Sequence, residues 1–134
     1  MDHYTFSLES VAAKSCNYLE RLVDERGIPY FNVFWTDPAE AAHDWPDFGD
    51  VMSRQLQGAV MLRRMTGRKA RTEDIWIENL LSNIDPSDGL LHGVNAAGSK
   101  SAPGWGDSAL TLYALVTAYA DSGDAKLGGI VADK

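Results

Sequence analysis

The sequence predicts an all-α fold made of two helical hairpins plus the start of a third, in the order of an α/α toroid. Three observations predict it. A glycine turn follows a helix-like segment at Arg26-Gly27-Ile28-Pro29 and again at Asp88-Gly89-Leu90-Leu91. A Gly-Asp pair then opens another helix, at Gly49-Asp50 and at Gly106-Asp107, and those helices stop at Thr66-Gly67 and Ser122-Gly123. Self-similarity at a spacing of roughly 60 residues, with amphipathic segments alternating with more apolar ones, is the signature of stacked helical units.

In the first hairpin, residues 6–66, Leu8, Val11, Ala12, Cys16, Leu19, Leu22 and Val23 fall at helical spacing, with Lys14, Asn17, Glu20, Arg21 and Asp24 on the other face. That pattern is an amphipathic helix lying on a surface, closed near Gly27. Residues 28–35 are aromatic and contain Pro29, which suits a short edge strand. Asp37-Pro38-Ala39-Glu40 carries the residues of a capping box and predicts a short helical turn. After the loop 43–49, Asp50–Met65 reads as the second long helix, with Val51, Met52, Leu56, Ala59, Val60, Leu62 and Met65 apolar.

In the second hairpin, residues 72–122, Thr72 is placed to cap a third helix with Glu73 and Asp74 in its first turn and Ile75, Trp76, Leu80 and Leu81 on its buried side. Asp85-Pro86-Ser87-Asp88-Gly89 is a turn, and residues 95–106, rich in Gly, Ala and Ser, read as a loop. Ser108–Tyr119 is nearly all apolar, the mark of a helix enclosed by neighbours. Residues 125–134 begin a further helix that does not finish, so the chain reads as the N-terminal part of a larger toroid, a single partial domain over 1–134.

Composition narrows the function. The chain has 134 residues, 45% of them hydrophobic, enough for one core. Its net charge of −7 repels phosphate backbones, so nucleic acid is not an expected partner. Arg63, Arg64, Arg68, Lys69 and Arg71 do gather around Thr66-Gly67, where cations suit a helix C-terminus. The single Cys16 lies on the apolar stripe and reads as a small buried hydrophobe. No signal peptide or membrane-length apolar run is visible, which makes cytoplasmic the default and a membrane partner unexpected.

The loops before the inner helices carry the chemistry. Asp44, Asp47 and Asp50 are spaced by three, and Asp107 opens the equivalent helix. Glycoside cleavage needs two carboxyl groups, one protonated and one ionised, and crowded carboxylates raise one another's pKa. Helix capping is the competing role for Asp47, Asp50 and Asp107. Trp35, Trp45 and Trp105 stand in or beside the same loops, where they can stack on sugar rings or plug the core. His43 with Asp44 and the aspartate series loosely resemble metal sites, but a solvated or hydrogen-bonded role is favoured for His43, and no metal or cofactor is expected.

The Gly-Ile/Leu turns at Gly27-Ile28 and Gly89-Leu90, together with Trp45-Pro46-Asp47-Phe48-Gly49-Asp50 and Gly104-Trp105-Gly106-Asp107, give the chain a resemblance to the (α/α)6 toroids of the six-hairpin glycosidase group. That resemblance implies a sugar cleft on the rim formed by the loops into the inner helices. It would gather Asp44, Asp47 and Asp107 as candidate catalytic carboxyls, with Trp35, His43, Trp45, Asp50, His92 and Trp105 as candidate substrate contacts. An oligosaccharide or other small polar substrate, and the remaining hairpins of the same polypeptide, are the partners it implies. Three functions stay open on these residues: a glycoside hydrolase or polysaccharide-lyase-like enzyme, a non-catalytic helical-repeat binding module, and, least favoured, a terpene-cyclase-like toroid dependent on Mg²⁺ or an apolar ligand.

Overall fold

The computed structural model describes residues 7–34, 36–43, 47–94 and 100–132. Among them the chain runs α1 (Leu8–Arg21), β1 (Asn32–Phe34), β2 (Glu40–Ala42), α2 (Phe48–Thr66), α3 (Glu73–Ser82), β3 (His92–Val94), β4 (Lys100–Pro103), α4 (Trp105–Ser122) and α5 (Ala125–Ala132). The protein is mostly helical. A helix, a two-stranded hairpin and a second helix form one unit, the unit repeats, and α5 follows it.

The repeat extends to backbone detail. Behind α1, Val23 bridges Pro29; behind α3, Ile84 bridges Leu91. Each bridge closes a turn whose glycine lies in the left-handed region, Gly27 at φ 78° and Gly89 at φ 72°, a conformation other residues adopt at a cost. Asp24 accepts from the N–H groups of Arg26 and Ile28 inside the first turn, and Asp85 accepts from the N–H of Ser87 inside the second. Both inner helices end on left-handed glycines, Gly67 and Gly123, whose N–H groups donate to Arg63 and Tyr119 carbonyls.

Helices α2 and α4 lie side by side and parallel. Gly49 abuts Asp107, Ser53 hydrogen-bonds Thr111 at 3.0 Å in the buried interface, and Arg63 and Arg64 both pair with Asp121. These contacts advance together along both helices, so both N-termini emerge at one pole. Glycine at 49 is what permits the approach, because a Cβ there would lie 2.7 Å from the Asp107 Cβ. The core between the helices is built on Trp76, Phe48, Met52, Leu56, Leu80, Leu91 and Leu115, all essentially inaccessible to solvent. Cys16 is buried among them, as a small hydrophobe would be.

The structure corrects the sequence at several places. Residues 37–40 form no helical turn: Glu40–Ala42 is a strand, because Asn32–Phe34 offers an antiparallel ladder with Phe34 opposite Glu40. Lys100–Pro103, read as loop, pairs with His92–Val94. Both inner helices start earlier than the Gly-Asp pairs, at Phe48 and Trp105, which puts Asp50 and Asp107 in the first turn rather than at the cap. On α3 the fully buried positions are Glu73, Trp76 and Leu80, while Ile75 is exposed. The enclosure expected of α4 is also incomplete among the described residues: Leu112, Tyr113 and Val116 are 42%, 60% and 37% exposed. No helix among the described residues is long and apolar enough to cross a membrane.

Candidate functional site

The parallel arrangement of α2 and α4 brings three of the candidate carboxylates to one pole. Asp47 holds the N-cap position of α2 without a side-chain capping bond and is exposed. Asp50, in the first turn, pairs with Arg54 one turn along at 2.5 Å. Asp107, in the first turn of α4, is half-buried against Gly49. Burial pushes the Asp107 carboxyl above the usual aspartate range, and the negative charges of Asp50 and then Asp47 push it further. Two aligned helix N-termini favour anionic groups here. For Asp107, however, desolvation and like charge win.

Of the aromatic candidates, Trp105 stands at the first position of α4 with 79% of its surface exposed. A Trp with so much open surface at a helix N-terminus is free to stack on a ligand. Trp35, Asp44 and Trp45 lie outside the described residues.

The histidines are drawn into the turns rather than toward the carboxylates. Nδ1 of His43 is 2.9 Å from the Pro29 carbonyl and Nε2 is 3.3 Å from Asp24 Oδ2. Its ring stacks on Tyr30 at 4.9 Å and meets Phe31 edge-on. The Asp24 carboxylate it faces is held below the usual range although burial opposes this, because the Ile28 and Arg26 N–H groups and the Arg26 guanidinium favour the charged form. His43 therefore links the connector before α2 to the first glycine turn. His92 points Nε2 at Asp88 Oδ2, 2.9 Å away, within the second turn.

Two contributors escaped the sequence reading. Arg54 meets Asp50 at the i, i+4 spacing, a signal that the sequence does carry. Ser108 donates to the Gly104 carbonyl and accepts from the Leu91 N–H, tying the second glycine turn to the start of α4. Only the folded turn gives that serine its role. Among the described residues no group of three or more His, Cys, Asp or Glu side chains is placed to hold a metal ion.

The fold and site thus define a mostly helical protein of two helix–hairpin–helix units with an acidic, Trp-bearing pole. Comparison with protein-family models, curated proteins and solved structures finds no match to this chain.

Proposed function

We propose that this chain belongs to a carbohydrate-active enzyme of the α/α-toroid type, acting as a glycoside hydrolase or a related lyase, with the pole of α2 and α4 as its sugar site. One observation carries the reading: Asp107, its pKa raised, abuts the α2 N-terminus that bears Asp47 and Asp50, beside the open face of Trp105. A carboxyl whose pKa is raised by burial and nearby negative charge suits donation to a leaving glycosidic oxygen, and a second carboxylate suits attack or activation of water. In this reading Asp107 is the acid and Asp47, solvent-facing and without a capping bond, is the second group. Asp50, tethered to Arg54, sustains the local negative charge, and Trp105 supplies a stacking platform. His43 and His92, held in the two glycine turns, take no part in this reading. The exposed side of α4, with Gly106, Tyr113 and Val116, would receive further hairpins of the toroid.

The test is titration with a panel of neutral and acidic oligosaccharides, followed by Trp fluorescence and by release of reducing ends. Saturable quenching that Trp105→Ala abolishes, with turnover lost in Asp107→Asn, is the expected result. Silence across the panel would remove the proposal.

A second reading, a non-catalytic helical-repeat module, is favoured by the same exposed apolar side of α4, since such a surface suits a protein partner. It predicts binding without turnover and indifference to Asp107→Asn.

A further inference from the structure

The two units fill the same space differently. In the first, Trp76 of α3 is fully buried behind the Gly27 turn, and its indole Nε1 donates to the Gly27 carbonyl at 2.8 Å. Phe48 and Met52, the first and fifth residues of α2, complete that packing and are 1% and 0% exposed. In the second unit every one of these fillers is changed. Trp105, first in α4, turns out to solvent, and the fifth residue is the small Ala109. From α5, Ile130 lines the space behind the Gly89 turn, with a side chain far smaller than the indole that Trp76 supplies behind the Gly27 turn.

What is left is a cleft of about 260 Å³ behind the Gly89 turn, walled by Ile84, Leu91, Ala109, Leu112 and Ile130, with Trp105 at its mouth. It lies on the side of α4 that faces α5, away from Tyr113 and Gly106. Gly89 itself lines it, and among the described residues no backbone N–H donates to the Gly89 carbonyl. Empty apolar space of this kind gains free energy by accepting an apolar ring, because the lining atoms regain contacts and the ring leaves water.

We infer that this cleft is a binding site for a planar, uncharged aromatic group of indole size carrying one hydrogen-bond donor, the ligand taking the place that Trp76 takes in the first unit. The walls accept the ring faces and the Gly89 carbonyl accepts the donor. Charged rings are disfavoured, since the walls offer no counter-charge. The cleft and the carboxylate pole meet at Trp105, which borders both.

Indole, titrated calorimetrically into the whole chain, is the probe. One-to-one saturation with a dissociation constant on the order of 1 mM or tighter is expected for so small a ligand. 1-Methylindole, which lacks the donor, should bind several-fold more weakly. Ile130→Trp and Ala109→Met, which restore the fillers of the first unit, should each weaken indole binding about tenfold or more while helical circular dichroism is retained. Methyl NMR of the unaltered protein should show indole-induced shifts centred on Ile84, Leu112 and Ile130. Non-saturating heats, shifts centred elsewhere, or unchanged affinity in either folded variant would overturn the site.

Discussion

The α2–α4 pair carries carboxylates at both poles and treats them in opposite ways. At the C-terminal pole, Asp121 is gripped by Arg63 at 2.7 Å and by Arg64, and Glu73, only 1% exposed, meets Arg63 at 3.0 Å. The Arg64 hydrogen bond to Asp121 holds that carboxyl below its usual range, against a smaller opposition from burial. Nearby, Glu20 of α1 receives Arg68 and the Arg71 N–H. At the N-terminal pole, Asp107 abuts an acidic helix start, and Arg54 is tied to Asp50. A pole where charge is matched is built for cohesion. A pole where burial and neighbouring negative charge raise the pKa of a carboxyl, as they do for Asp107, gives up stability for something else, which is where function is to be sought.

The largest effect should come from breaking the matched pole. Arg63→Met strips Glu73 of its cation in a dry setting, and denaturant unfolding should report a loss of about 3 kcal/mol at neutral pH. The loss should shrink in acid. Burial already raises the Glu73 carboxyl above its ordinary range, so its contribution is fully present below the unfolded pKa and lost as pH rises through the folded one. A penalty that is flat between pH 4 and pH 8 would contradict the pairing.

Next comes the point where the two helices touch. Gly49→Ala forces a methyl against Asp107 and Leu91, and overpacking of this kind costs about 2 kcal/mol. Gly106→Ala, at the matching position of α4, meets nothing within 4 Å and should be neutral or slightly stabilising. Equal effects at the two glycines would mean that α2 and α4 do not cross as described.

How far the sequence carried this picture depends on the range of the forces involved. The helices, the glycine turns and the alternation of amphipathic and apolar segments are local, and they were legible in residues such as Gly27, Gly67, Gly89 and Gly123. The strand Glu40–Ala42 was not, because three residues are too few to show a strand's alternation and Asp37-Pro38-Ala39-Glu40 carries strong local helix-start signals. That Asp47, Asp50 and Asp107 would share one end was an expectation carried by the resemblance to α/α toroids, not by residue spacing. That Glu73 would be buried beside Arg63, or that Ile130 would fall short of the space Trp76 fills, depends on packing that no spacing encodes.

A smaller effect separates the poles by pH. Asp107→Asn removes an unfavourable ionisation, so the variant should be slightly more stable than the parent at neutral pH. That advantage should vanish as pH falls below the unfolded aspartate range, where Asp107 is protonated in both folded and unfolded chains. Thermal melts at a series of pH values would read it. The smallest expected effect is at the surface: Arg68→Ala, an exposed partner of Glu20, should cost the least of the destabilising substitutions in denaturant unfolding and less still in high salt.

The most direct measurement is an NMR pH titration of the Asp107 side-chain carboxyl in the parent chain and in the double variant Asp47→Asn, Asp50→Asn. Parallel inner helices with a shared acidic pole predict a value above the ordinary aspartate range that falls back part of the way when the two neighbouring charges are removed. An ordinary value in the parent, or a raised one indifferent to both substitutions, would mean that the carboxylates of the two units do not meet.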